Sequence, residues 1–190
     1  MITLEAPHMG LNDPRSPSRV NMWNTWDVKE NETVVHMLEW IATVARTKAE
    51  GNPEGKLKNL VFNCHGGPAS LQMGEGIEFF DTRKFRRLEG LVEKIWFNAC
   101  EVAKPGTGPD DGLRFCSEIA KAAQCYVLAS DTKQADRLNF FWWTDIELPF
   151  GKLGTFEGTL LSFGPTGKVT WSHTYPAPED WLGRPEANPD

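Results

Sequence analysis

Two short apolar runs in this chain end in side chains that can do chemistry: LVFNCHGG over 60–67 delivers His65, and IWFNAC over 95–100 delivers Cys100. A thiol attacks a carbonyl carbon as the thiolate. It therefore needs a base or a positive environment beside it, and N–H donors aimed at the oxyanion that develops. The glycine after the histidine lets backbone approach a substrate with no side chain between, so the Gly66 N–H is one natural donor and the Cys100 N–H the other. His65 and Cys100 together are thus a candidate nucleophile and acid/base pair for acyl transfer.

Other readings of the same residues weigh against this one. A free cysteine closing an apolar strand is often core, and Cys64, Cys116 and Cys125 read as packing residues of that kind. Cys64, His65, Cys100 and Cys116 number four nominal metal ligands, but neighbours on a strand point to opposite faces and no short paired spacing is present, so no metal is expected. His36, on the apolar side of a helix, and His173, within a β-run, read as structural.

The elements that must position the pair follow from periodicity. LKNLVFNC, EKIWFNAC and CYVLAS are short, nearly continuous apolar runs of the kind that fill a strand buried on both faces. Between them, DTRKFRRLEGLV and DGLRFCSEIAKAAQ carry apolar residues at spacings of three and four, which predicts helices. A further helix is predicted over 32–50, with Asn31 as N-cap and Gly51 as the stop. Alternating strand and helix means a parallel α/β sheet, whose functional groups lie beyond the carboxyl ends of the strands. GTFEGTLLSFGPTGKVTWSHTYP reads as a hairpin around GPTG, appended to that sheet.

With His65-Gly66 and Ala99-Cys100 each ending an apolar strand, in that order, the chain resembles the caspase-like cysteine peptidases, which include caspases, metacaspases, legumain, clostripain and gingipains. The likeness covers about residues 57–130. It implies a three-layer sandwich with a mainly parallel sheet flanked by helices and followed by a C-terminal β-hairpin. It also implies an endopeptidase acting on a protein or peptide substrate, with Cys100 as nucleophile, His65 as acid and base, Gly66 and Cys100 N–H groups on the oxyanion, and no cofactor. Asn98, two positions before the nucleophile, would face the substrate residue preceding the cut; a basic preference there would require Asp131 or Asp81 to enter the pocket. Glu101 follows the nucleophile, as an acid does in legumain. The rival reading is an inactive caspase-like module that docks a protein partner.

Organisation and composition frame these expectations. Residues 1–30, with Pro7, Pro14 and Pro17, read as an extended N-terminal arm tied to the core by Trp23 and Trp26; 31–175 as a single domain; and 176–190 as a Pro- and acid-rich tail. Eight tryptophans are present. NFFWWTDIELPF concentrates aromatics for packing, with Trp142 and Trp143 as candidates to line a substrate groove. A net charge of −6 and a pI near 5.3 argue against a nucleic-acid partner; the basic run RKFRR reads as the wet face of a helix. No long apolar stretch or signal-peptide order is seen, so no membrane association and a cytoplasmic setting with free thiols are expected, which leaves the NET sequon at 31–33 without a role. Oligomeric state and cleavage specificity are not written in the sequence.

Overall fold

The structure, a computed structural model, describes residues 1–134 and 146–175. Seven strands form one sheet: β1 (His8–Asn12), β2 (Asn24–Asp27), β3 (Leu57–Asn63), β4 (Val92–Asn98), β5 (Tyr126–Ser130), β6 (Gly158–Phe163) and β7 (Val169–Tyr175). Their spatial order is β7-β6-β5-β4-β3-β1-β2. The five strands from β5 to β2 are parallel, and β6 and β7 add an antiparallel hairpin on the β5 edge. The three apolar runs and the hairpin expected from the sequence are all present in this mixed α/β fold.

Residues 1–30 are not an arm outside the domain. They supply β1 and β2, and β1 is buried along its whole length. Gly10 at its centre explains how: a Cβ there would lie 2.7 Å from Val20 Cγ2 and 2.9 Å from Met22 Cγ, so the connection between β1 and β2 packs directly on the strand. Trp23 and Trp26 do pack against the core, half-buried.

Helix α1 runs over Val34–Arg46, capped by Thr33, whose hydroxyl accepts the His36 N–H. The cap is therefore Thr33 and not Asn31, because the buried stripe starts at Val34 and the cap sits immediately before it. The helix ends at Arg46, where the stripe of Met37, Leu38, Ile41, Ala42 and Ala45 runs out, with Thr47 extended as C-cap. Gly51 lies beyond the helix at positive φ, under the Trp23 indole. His36 is on the wet side of α1, bonded to Glu32 and edge-on to Trp26, which corrects the expectation of an apolar position. His173 is likewise exposed, stacked on Trp171.

Helix α2 spans Gly112–Ala123, capped by the Asp111 carboxylate, which accepts the Leu113 and Arg114 N–H groups; it ends at Gln124 in the left-handed region. The RKFRR segment is helical, but as a 3-10 helix over Phe79–Leu88. Its buried residues are Thr82, Phe85 and Leu88, a strict spacing of three that aligns on one side only at three residues per turn.

These three helical segments cover one face of the sheet, sharing a core with Met9, Leu11, Phe62, Phe97 and Val127. Among the described residues no helix covers the other face, where Val61, Trp96 and Leu128 meet Leu4, Val20, Met22, Leu148 and Phe156 from irregular segments and Leu153 from a two-residue strand. The expected flanking by helices thus holds on one side. Strand order is the reason. The steps β2 to β3, β3 to β4 and β4 to β5 all move the same way along the sheet, and connections of one hand must then lie on one face. The step from β1 to β2 moves the opposite way, so its connection crosses the other face.

Candidate functional site

β1 sends its connection to one face and the adjacent β3 sends its own to the other; α/β sheets place ligands beyond the carboxyl ends of strands at such a change of direction. His65 and Cys100 each lie two residues past the ends of the neighbouring strands β3 and β4. His65 begins a small hairpin, His65–Gly67 paired with Ser70–Gln72, and is exposed; Cys100 is half-buried. Two backbone bonds join the two segments, Cys64 N–H to the Asn98 carbonyl at 3.3 Å and Ala69 N–H to the Val102 carbonyl at 3.3 Å.

Gly66 is where they touch most closely. A Cβ on it would sit 2.9 Å from Ala99 Cβ, 2.9 Å from the Cys100 carbonyl oxygen and 3.0 Å from Val102 Cγ2. Its hairpin partner Leu71 exchanges both backbone bonds with Ile77 instead, so Leu71 does not consume the Gly66 N–H. Three non-glycine residues of the described chain have positive φ: Gln124 at the end of α2, Ala69 in the hairpin turn (55°), and Glu101 directly after Cys100 (55°). The last two flank the pair.

The sulfur of Cys100 is engaged by the backbone of Gln134: the Gln134 N–H donates to it at 3.3 Å, and the thiol lies 3.6 Å from the Gln134 carbonyl as donor. No hydrogen bond joins His65 to Cys100. The Glu101 carboxylate turns to Lys104, 2.8 Å away, and not to the thiol. Burial pushes the other thiols, Cys64 and Cys116, far up, and Cys125 up to about 12.

The remaining site candidates divide. Asn98 is half-buried and donates from Nδ2 to Asn63 Oδ1 at 2.6 Å. Asp131 does not enter a pocket beside Asn98: its carboxylate accepts the Thr132 hydroxyl at 2.7 Å and the Thr159 N–H at 3.0 Å, tying β5 to β6. Asp81 caps the 3-10 helix through the Glu78 N–H and pairs with Lys84. Trp142 and Trp143 lie outside the described residues, as does the tail 176–190.

Sequence reasoning missed the polar frame under the pair. Asn12, Asn63 and Asn98 close β1, β3 and β4 in register, and their amides join in a row. Asn63 Nδ2 donates to Asn12 Oδ1 at 3.0 Å and to the Ser18 carbonyl at 2.6 Å, and Asn12 exchanges two bonds with Val20. Beside this row the fully buried Asp13 carboxylate takes a two-pronged bond from Arg15, at 2.6 and 2.5 Å, and the Gly74 N–H at 3.1 Å, while Arg15 also donates to the Gly74 carbonyl at 2.9 Å. This clamp fixes the chain just after the His65 hairpin. Burial alone would raise the Asp13 pKa, but the bonds from Arg15 and the Gly74 N–H outweigh it and hold the carboxyl below its ordinary value. The available signal was three strands each closing on asparagine, a residue disfavoured inside sheets.

Compared with family models, with curated proteins and with solved structures, the chain matches none.

Proposed function

We propose that the chain is a caspase-like cysteine peptidase that hydrolyses peptide bonds of a protein or peptide substrate in a cytoplasmic setting. The observation that carries the reading is the meeting of His65-Gly66 with Ala99-Cys100 beyond two adjacent parallel strands, so close that a Cβ at position 66 would push the two segments apart. The positive φ of Ala69 and Glu101 on either side adds support, since backbone strain of this kind gathers at functional sites.

In this mechanism the Cys100 sulfur attacks the scissile carbonyl, and the oxyanion is held by the Gly66 and Cys100 N–H groups. His65 protonates the departing amine, leaving a thioester on Cys100. It then takes a proton from water, which attacks the thioester and releases the acid and the free thiol. The chemistry calls for no cofactor. Asn98 borders the position preceding the cut, and a neutral amide there, with Asp131 and Asp81 committed elsewhere, fits no strong basic preference.

A second reading, an inactive module that docks a protein partner, is favoured by one observation: the Cys100 sulfur is bonded to Gln134 and not to His65. Peptide-library cleavage separates the two. Under the first reading Cys100→Ala and His65→Ala each abolish turnover with melting little changed, whereas Cys116→Ala, which hollows the inner face of α2, costs about 1 kcal/mol and leaves activity per folded molecule intact. Turnover that persists in Cys100→Ala sinks the peptidase assignment.

A further inference from the structure

The contact between Gln134 and Cys100 has an unusual support. The Gln134 side chain donates from Nε2 to Ser130 Oγ (2.8 Å), the Thr132 carbonyl (2.9 Å) and the Glu157 carbonyl (3.1 Å), and accepts the Glu157 N–H at Oε1 (2.9 Å). Both ends of the amide are thus spent on the end of β5 and the chain entering β6. What these bonds fix in space is the Gln134 backbone, whose N–H points at the Cys100 sulfur.

A thiol can use both backbone groups of Gln134, whereas a thiolate can only accept. The N–H contact at 3.3 Å strengthens on ionisation, because charge roughly doubles such a bond. The contact with the carbonyl, at 3.6 Å, is the longer of the two and has less to lose. The N–H is therefore the contact that persists when the sulfur carries charge. His65, exposed and without a hydrogen bond to Cys100, supplies no comparable contact.

We propose that Gln134 is a positioning residue for Cys100: its tethered backbone N–H stabilises the reactive thiolate, which therefore does not depend on an ion pair with His65. The inference rests on Cys100 as the nucleophile of the proposed peptidase. Among the described residues, the other charged or titratable groups on the elements around the sulfur are Cys64 after β3, Glu101 with its partner Lys104 after β4, Asp131 and Lys133 after β5, and Glu157, whose backbone bonds the Gln134 side chain, before β6; none of them is altered in the test.

The test is the pH dependence of iodoacetamide alkylation of the full chain, with melting recorded on each variant. Burial silences Cys64, Cys116 and Cys125 near neutral pH, so the reaction reads Cys100. Gln134→Ala should raise the midpoint by about one pH unit, an approximately tenfold loss of rate below it. Ser130→Ala, which removes one tether, should shift it the same way by less and serves if Gln134→Ala does not fold. His65→Ala should leave the midpoint in place. An unmoved midpoint in the folded Gln134 and Ser130 variants, or a shift in His65→Ala as large as that in Gln134→Ala, overturns the proposal. Absence of peptide cleavage by the unaltered chain would instead overturn the peptidase reading and leave the alkylation result standing.

Discussion

Replacing Gly66 by alanine tests whether the His65 hairpin and the Cys100 turn are packed as tightly as the geometry says. Gly66 does not lie in the left-handed region, so alanine brings no backbone penalty and the effect is one of packing. The new methyl would lie 2.9 Å from Ala99 Cβ, 2.9 Å from the Cys100 carbonyl oxygen and 3.0 Å from Val102 Cγ2. None of these can swing away: one is backbone, one has no rotamer, and Val102 is wholly buried. Restoring ordinary contact means parting the two segments by roughly half an ångström or more, and overpacking of this kind costs about 1–3 kcal/mol. Alanine recovers about 0.4–1 kcal/mol by restricting the unfolded chain, leaving a net loss of roughly 1–2 kcal/mol. For a chain of this length that lowers Tm by about 2–8 °C. Gly67→Ala is the internal control, since its methyl would meet only the rotatable Ser70 hydroxyl, at 3.3 Å, and it should stay within about 0.5 kcal/mol of the parent. Thermal melts of the two variants decide the matter, with peptide cleavage expected to fall at least tenfold in Gly66→Ala because the turn carrying Cys100 is displaced. Equal melting of the two would refute the reasoning.

Asn63→Ala should cost about 2–4 kcal/mol, read by urea denaturation, because it strips partners from Asn12, Asn98 and the Ser18 carbonyl at once; a loss under about 1 kcal/mol would mean the amide row is ornamental. Acid should act in two stages. His8 is buried, accepts the Trp23 N–H at Nδ1, and has its pKa lowered from 6.5 by burial, partly offset by a backbone bond. The unfolded chain therefore takes up that proton first, so the stability is present above pH 6.5 and lost as pH falls through the lower folded value. His8→Gln should flatten this limb in melts taken across the range. Asp13, held below 3.8, contributes stability present above that pH and lost as pH falls through its folded value, a limb that Asp13→Asn should remove along with part of the stability at neutral pH.

The sequence by itself determined the elements that local periodicity encodes. Leu57–Asn63, Val92–Asn98 and Tyr126–Ser130 are strands because apolar runs of that length fit a sheet covered on both faces, and Val34–Arg46 and Gly112–Ala123 are helices because their buried residues repeat every three or four. The order of those elements was enough to bring His65 and Cys100 to the same end of the sheet. Tertiary structure decided the rest. HMGLN has neither a long apolar run nor clean alternation, and it is a central strand only because β3 pairs with it and Val20 and Met22 fill the space above Gly10. The helices lie on one face because β1 steps one way along the sheet and every later parallel strand steps the other. Asn12, Asn63 and Asn98 carry no pattern on their own, since a hydrogen bond between amides far apart in the chain exists only once the strands are in register. The same holds for the clamp of Asp13 and Arg15 on Gly74 and for the Gln134 amide at the Cys100 sulfur. Each is a polar contact whose partner the fold supplies, and short-range periodicity contains no information about it.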